Sequence, residues 1–232
     1  MTLAPWLPLI HRLVSPWFQD CLWQGSPVLP EIALTFDDGP HPEYTPALLA
    51  VLRSHTIPAT FFCLGERVKY FPDLVRATVA EGHWLGLHGY THQSFPFMPL
   101  VAVQQSLQQT QQIIASTCNL DASQLRDVRP PNGLLTPRLQ RHLSQWGYRT
   151  VQWTVVPVDW VCPGVAVVTQ RILKQTRNGA IIVLHDGFCG GRDVAAIARQ
   201  VIPALQAQGF RFVTLDRLWQ QHKRSHPTQH RP

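Results

Sequence analysis

Short apolar runs rich in β-branched and aromatic residues recur along the chain from residue 31, and most are followed by an amphipathic stretch of helical length. Runs of this kind are typical of buried β-strands, and the longer stretches are typical of surface helices. The pattern predicts strands at residues 32–36, 59–64, 83–87, 148–153, 180–184 and 210–215. Because strand and helix alternate, we expect a mostly parallel sheet covered by helices.

Punctuation residues support this division of the chain. A proline at the first helical position marks three helix starts, with a capping threonine before it in two of them: Phe71-Pro72, Thr45-Pro46 and Thr136-Pro137. A glycine ends three helices, and the next residue is predicted to open a strand: Gly82, Gly147 and Gly209. Repeated βα units fit either an open doubly wound sheet or a barrel. No glycine-rich phosphate loop follows the first strand, and we favour a barrel.

The length of 232 residues and the hydrophobic fraction of 45% are sufficient for one α/β domain. We assign residues 1–30 to a hydrophobic and aromatic extension, 31–220 to the domain, and 221–232 to a polar, disordered tail. Three histidines lie four apart near this tail, at His222, His226 and His230. Pro227 interrupts any helix that would align them, so we expect no metal site there.

The charge balance permits several anionic partners but does not select one. Lys and Arg number 20 against 14 Asp and Glu, a net charge of +6. No basic block lies beside stacking aromatics, so nucleic-acid binding is not expected.

The five cysteines are an odd, widely spaced set without C-x-x-C, which argues against a zinc ribbon and a complete disulfide framework. Most are expected to be buried apolar groups, and Cys189, in a glycine-rich loop, is the exception to watch.

Residues 1–23 are hydrophobic, but they lack a basic first segment, and prolines interrupt them. We therefore expect neither a cleavable signal peptide nor a membrane-spanning helix. Two alternatives remain: the segment packs on the domain, which we favour, or it makes peripheral membrane contact through Trp6, Trp17 and Trp23. No obligate protein partner is inferred.

Polar residues that can carry chemistry directly follow the predicted strands. They are Asp37-Asp38, His88 and His185-Asp186, with Asp159-Trp160 shortly after the run 151–156 (VQWTVV) and Arg129 after the short run Asp127-Val128. In a βα-repeat fold the carboxyl ends of all strands open on one face, which carries the active site. We expect these residues to converge there.

The spacing of His88 and His92 suits a pair of metal ligands, although either histidine alone would more often be structural. Adding Asp38 gives the two-histidine, one-carboxylate set of a hydrolytic divalent-metal site. Adjacent strand residues point in opposite directions, so Asp38 can bind the ion while Asp37 faces the substrate.

Five motifs in order resemble the NodB-like polysaccharide deacetylases, family four of the carbohydrate esterases. They are Leu34–Pro40 (LTFDDGP), His88-xxx-His92, Arg129–Gly133 (RPPNG), Asp159-Trp160 and Leu184-His185-Asp186. The resemblance extends from about residue 30 to 220. It implies a distorted (β/α) barrel and a divalent ion, expected to be zinc with cobalt, nickel or manganese as alternatives. It also implies removal of acetyl groups from N-acetylglucosamine polymers such as chitin or peptidoglycan, or less often from O-acetylated xylan.

The resemblance also implies a role for each residue. Asp37 is the general base and His185 the general acid; Arg129 orients Asp37, and Asp159 keeps His185 protonated. The backbone N–H near Asn132 stabilises the oxyanion together with the metal, while Trp160 and Val183 belong to the substrate pocket.

Two positions depart from the family pattern. Gly89 stands where Ser or Thr usually follows the first metal histidine, and its missing hydroxyl is expected to loosen that loop. Val183 stands where Leu is common, which only trims the acetyl pocket. A non-catalytic sugar-binding relative remains an alternative, but every reacting group is present, which favours an enzyme. Its substrate suggests the cell envelope, although no signal peptide is evident.

Overall fold

The computed structural model describes residues 17–18 and 20–225, with side chains as far as His222. Parallel strands alternate with helices along this part of the chain. The strands are β1 (Cys21–Leu22), β2 (Glu31–Asp37), β3 (Thr60–Cys63), β4 (Trp84–Leu87), β5 (Asp127–Val128), β6 (Arg149–Val151), β7 (Ile181–His185) and β8 (Arg211–Phe212). The α-helices are α1 (Tyr44–Ser54), α2 (Gly65–Tyr70), α3 (Pro72–Ala80), α4 (Leu100–Cys118), α5 (Pro137–Gln145), α6 (Val165–Gln175), α7 (Gly191–Ala207) and α8 (Leu215–Ser225).

The strands are ordered β1-β6-β5-β4-β3-β2-β7, and β8 pairs with β2 beside this path. Every pairing is parallel. The sheet curls, because Arg129 after β5 reaches Asp37 at the end of β2 although β3 and β4 lie between these strands in the sheet. The expected distorted (β/α) barrel and single domain are confirmed.

Apolar side chains pack on both surfaces of this curled sheet. The larger cluster lies between the strands and the helices, and it includes Phe36, Leu48 and Ile202. A smaller cluster joins the opposite strand faces to α8 through Phe62 and Leu218. All seven residues of β2 are buried, as expected of a parallel strand that is paired on both edges and covered on both faces.

The three predicted helix exits share one geometry. Gly82, Gly147 and Gly209 have φ angles of +82°, +84° and +88°. In each case the glycine N–H and the next N–H bond back to two successive carbonyls of the last helical turn, as in a Schellman motif. The strands begin two residues after the glycine rather than immediately, because the residue between them donates the second of these bonds.

Two of the three predicted helix starts agree with the structure. Pro72 is the first residue of α3, and the Thr136 hydroxyl accepts the N–H of Leu139 at 3.1 Å. Thr45 is not an N-cap, because α1 begins at Tyr44 and the Thr45 hydroxyl instead bonds the side chain of Asp186.

The domain boundaries need correction at both ends. Strand β1 lies within the expected extension 1–30, and its two buried residues pair with β6. Helix α8 begins at Leu215, inside the predicted strand 210–215, and continues to Ser225, inside the expected tail 221–232. Gln221 is buried there because its side chain bonds Glu31 of β2, which ties the end of the helix to the sheet.

The terminal predictions fall mostly beyond the described residues. Trp6, His226 and His230 lie outside them, so a membrane contact through residues 1–23 remains a prediction. Trp17 is 77% exposed. Among the helices of the described ranges, none combines the length and apolarity needed to cross a bilayer.

All five cysteines are described, and none forms a disulfide. Only Cys21 and Cys63 are buried, so the expectation that most of the cysteines are buried was wrong.

Candidate active site

The carboxyl ends of the parallel strands bring the chemistry-bearing residues together. Asp37 and His185 are the last residues of β2 and β7, and these two residues are register partners in the sheet. His88 directly follows β4, and Arg129 directly follows β5. Because parallel strands end at the same edge, side chains separated by more than one hundred positions in sequence lie around one site.

Asp38, His88 and His92 form a compact group with the chemistry of metal ligands. The Nε2 atoms of both histidines lie 3.3 Å from Oδ1 of Asp38, and the potential ligand atoms are all within 4.8 Å of one another. His88 Nδ1 donates to the Arg129 carbonyl at 2.7 Å, which leaves the Nε2 lone pair directed toward Asp38. The group therefore fits a divalent cation.

The burial and charge of Asp38 support its role as a metal ligand. Its Oδ1 atom is buried and has no hydrogen-bond partner within residues 17–18 and 20–225. Burial opposes its ionisation, but the neighbouring imidazoles of His88, His185 and His92 lower the pKa of Asp38 overall. Burial also lowers the pKa of His92. A carboxylate beside a neutral imidazole is the protonation state that metal binding requires.

Arg129 holds Asp37 from beneath the site. Its Nη1 donates to Asp37 Oδ1 at 2.6 Å and to the Thr35 hydroxyl at 2.8 Å, and its Nη2 donates to the Gln152 carbonyl at 3.1 Å. The guanidinium also lies 4.1 Å from the ring centroid of Phe62. Burial lowers the pKa of Arg129, whereas the Asp37 carboxylate acts in the opposite direction. The arginine thus fixes one oxygen of Asp37 and compensates its charge.

His185 is held by both oxygens of one carboxylate. Its Nδ1 lies 2.9 Å from Asp159 Oδ1, and its backbone N–H donates to Oδ2 at 2.8 Å. Burial alone would lower the pKa of His185, but the Asp159 carboxylate outweighs it and raises that pKa to about 10. The Trp160 ring meets the imidazole edge-on with centroids 5.3 Å apart.

Of the remaining predicted residues, Asn132 lies at the rim of the site and Val183 lies below it. Asn132 is exposed, has a φ of +59°, and donates from Nδ2 to the Ser94 hydroxyl at 2.8 Å. Val183 is buried two positions before His185, so it shares a strand face with the imidazole and lies deeper in the barrel.

The histidine loop is held despite the missing hydroxyl at Gly89. The carbonyls of Gly89 and Tyr90 accept the N–H groups of Gly65 and Glu66 at 3.0 Å each. The Tyr90 N–H donates to the Ser106 hydroxyl at 2.7 Å. Gly89 itself has a φ of +85°, a conformation that favours glycine. Three hydrogen bonds that involve the backbone of residues 89–90 therefore hold this loop without a hydroxyl at position 89.

One buried residue next to the site, Asp186, received no role from the sequence. Asp186 is fully buried, and its Oδ2 accepts the Thr45 hydroxyl at 2.5 Å, while that hydroxyl accepts the His41 N–H at 2.8 Å. Burial raises the pKa of Asp186 to about 7, and the charges of Asp38 and Asp37 add to this rise. The only sequence signal was its place immediately after an apolar strand.

Comparison with known proteins identifies the family of this chain. Residues 25–151 match the model of a family described as polysaccharide deacetylase. A chitooligosaccharide deacetylase of Rhizobium leguminosarum bv. trifolii is 39% identical over 190 residues, which cover 77% of this chain and 87% of that protein. A peptidoglycan-N-acetylglucosamine deacetylase of Bacillus cereus is 35% identical over 192 residues, 81% of this chain and 87% of that protein.

A solved structure shares the fold over most of its length. The Bc1960 peptidoglycan N-acetylglucosamine deacetylase, in complex with 4-naphthalen-1-yl-N-oxidanyl-benzamide, superposes with a TM-score of 0.83. The sequence identity is 30%, and the match covers 87% of this chain and 94% of that chain. The chain therefore belongs to the polysaccharide deacetylase family, the family-four carbohydrate esterases, and is a hydrolase.

Proposed function

We propose that this protein is a metal-dependent N-deacetylase that removes acetyl groups from N-acetylglucosamine units of a chitin-like or peptidoglycan glycan in the cell envelope. One observation carries the metal dependence: the buried Oδ1 of Asp38 has no hydrogen-bond partner in the described chain and faces the Nε2 atoms of two histidines. A buried, unpaired carboxylate oxygen is costly unless a cation satisfies it.

Asp38, His88 and His92 would hold this ion, with zinc as the expected metal because the ligands are two imidazoles and one carboxylate. Cobalt, nickel or manganese are possible substitutes. When bound, such an ion supplies an acidified water and a polarised acetyl carbonyl.

Asp37 is the proposed general base, because it lies beside the ligand group without belonging to it. Arg129 holds Oδ1 of this carboxylate with a hydrogen bond of 2.6 Å. Accepting the proton of the attacking water neutralises Asp37, whose negative charge the buried Arg129 guanidinium compensates before the transfer. The backbone N–H near Asn132 adds a dipole that stabilises the developing oxyanion.

His185 is the proposed general acid. Expulsion of the sugar amine requires a proton, and the Asp159 contact keeps the imidazole charged at neutral pH because it raises the pKa to about 10. Nδ1 is occupied by Asp159, which leaves Nε2 to deliver the proton. Trp160, edge-on to this ring, and Val183 below it would line the acetyl pocket.

The glycan assignment draws on the relatives, whose names specify chitooligosaccharide and peptidoglycan substrates. An assay panel of chitooligosaccharides, peptidoglycan and acetylxylan would separate these substrates from an O-acetyl ester. We expect acetate release from one of the first two.

The decisive test compares metal content with turnover. We expect His88→Ala and His92→Ala to lose both the bound divalent ion and deacetylation, because two remaining ligands hold the ion poorly. The matched control is Asp37→Asn, which we expect to keep the ion while its rate falls by about two to four orders of magnitude. Metal analysis after dialysis and acetate release on the same samples would be measured.

Full metal occupancy in the variant that carries both His88→Ala and His92→Ala would contradict the assignment of these histidines as metal ligands. Turnover near that of the wild type in Asp37→Asn would mean that another group accepts the proton.

A further inference from the structure

The loop of residues 187–190 crosses the rim of the site between two of its carboxylates. A Cβ added to Gly187 would lie 2.5 Å from Cβ of Asp38, and one added to Gly190 would lie 2.8 Å from Oδ2 of Asp159. Only glycine permits such close approach at both ends. The two residues between them, Phe188 and Cys189, are both exposed, so they form the tip of a loop anchored on the site.

Phe188 is 74% exposed, yet its ring is supported by neighbours. The His41 ring meets it edge-on with centroids 5.0 Å apart, and the Arg67 guanidinium carbon lies 4.8 Å from its centroid. Both of these side chains are held in turn. The His41 ring stacks on the Tyr44 ring with centroids 3.9 Å apart, and Arg67 donates a hydrogen bond to the Pro40 carbonyl at 3.2 Å. The exposed ring therefore has a defined place beside the site.

An isolated exposed phenylalanine is common on protein surfaces and needs no function. Phe188 differs because it lies three residues from His185, on a loop that touches Asp38, and is held by an arginine and a histidine rather than by the apolar core. An exposed aromatic ring that its neighbours hold in place beside the site is a surface suited to a ligand with an apolar face. A pyranose ring presents such a face through its axial C–H groups.

We propose that Phe188 is a stacking platform for a second pyranose ring of the glycan, next to the sugar that loses its acetyl group. This inference rests on the proposed function, because it places the reacting sugar beside His185. The platform makes no contact with the reacting atoms. It contributes to the binding of a chain, and it therefore favours oligosaccharides over the shortest substrate.

The test is a length series of chitooligosaccharides with three variants. For chitopentaose, Phe188→Ala is expected to raise KM about ten-fold, the loss of roughly one aromatic stacking contact, with a much smaller change in kcat. KM for the shortest oligomer that the wild type hydrolyses should stay within about two-fold. Phe188→Trp keeps a flat ring and should retain the preference for long chains. Trp17→Ala is the matched control, since Trp17 is 77% exposed but precedes β1 at the other end of the strands.

Three outcomes would overturn the platform. If the wild type is active and Phe188→Ala has the same KM for every length, the platform is excluded and the proposed function stands. If KM rises equally for the shortest oligomer and for chitopentaose, the loop has only a structural role. If the wild type neither hydrolyses chitopentaose nor binds it in a calorimetric titration, both the proposed function and the role of Phe188 are contradicted.

Discussion

At the scale of single residues, the Asp159–His185 pair makes the pH profile a direct test of the acid. Asp159 raises the pKa of His185 to about 10, so the imidazolium is present below that pH and is lost as the pH rises through it. Replacing Asp159 with Asn removes the favourable charge and lowers the pKa of His185. We therefore expect the alkaline limb of the kcat/KM profile to move to lower pH in Asp159→Asn, while the acidic limb moves much less.

The control for this profile is Arg192→Gln, which removes an exposed charge outside the contacts of His185. Its alkaline limb should match the wild type. An alkaline limb that keeps its position in Asp159→Asn would reject the pairing as the source of the raised pKa.

Thr45 offers a second test at this scale, directed at the support of the site. Thr45→Val keeps the shape of the side chain but leaves the buried Asp186 oxygen and the His41 N–H without this partner. We expect the free energy of unfolding to fall by about 1–3 kcal/mol, measured by denaturant titration. Thr45→Ser keeps the hydroxyl and should lose less than half of that amount. Equal losses in the two variants would show that packing, and not the hydrogen bond, matters here.

The sequence identified the candidate site residues better than their supports. Asp37, Asp38 and His185 stand out because a polar residue at the end of an apolar strand is unusual and the parallel fold gathers such residues on one face. Thr45 followed by proline has the local pattern of an N-cap, so sequence reasoning assigned it there. Its real partner, Asp186, lies 141 positions away, and a bond over that separation leaves no local pattern.

At the scale of elements, the glycine that ends α5 allows a clean measurement of backbone strain. Gly147 has a φ of +84°, and a Cβ added there would meet nothing within 4 Å. Gly147→Ala therefore adds no clash, and only the left-handed conformation is penalised. We expect the free energy of unfolding to fall by about 1–2 kcal/mol. Gly147→Asn should cost less, since asparagine tolerates this region; a smaller loss for Ala than for Asn would contradict the explanation.

The strands found from sequence were those that lie in longer β-rich runs. The six predicted strand segments each overlap an observed strand, including the two-residue β8 within the predicted run 210–215. The two-residue strands β1 and β5 lie outside such runs and carry no alternation. Helix α8 was missed for a different reason. Its first residue, Leu215, continues the apolar run of the preceding strand, and its polar second half resembles a solvated tail. Contacts with the sheet, such as the hydrogen bond from the Gln221 side chain to Glu31, show that this helix packs on the barrel.

At the scale of the whole molecule, a bound ion would couple the candidate site to the stability of the barrel. Asp38, His88 and His92 come from loops after two different strands, so a ligand that joins them binds the folded chain and not the unfolded one. Free zinc at one hundred times its Kd should raise the free energy of unfolding by about 2.7 kcal/mol. Chelation should reverse the gain, measured as a shift in Tm.

His92→Ala is the matched variant for this measurement, because the His92 side chain is 38% exposed and its loss should leave the fold intact. Its Tm should not respond to zinc. A wild-type Tm that ignores zinc, or an equal shift in His92→Ala, would contradict a site built from these three residues.

The position of β2 between β3 and β7 has a consequence for how the chain folds during synthesis. This strand precedes its partners β7 and β8 by more than one hundred residues in the chain. Until they are synthesised, the nascent chain carries an apolar strand with one edge lacking its partner, and unpaired edges of this kind promote aggregation. A fragment that ends before residue 181 lacks both β7 and β8, so this edge of β2 stays unpaired in it and we expect such a fragment to aggregate.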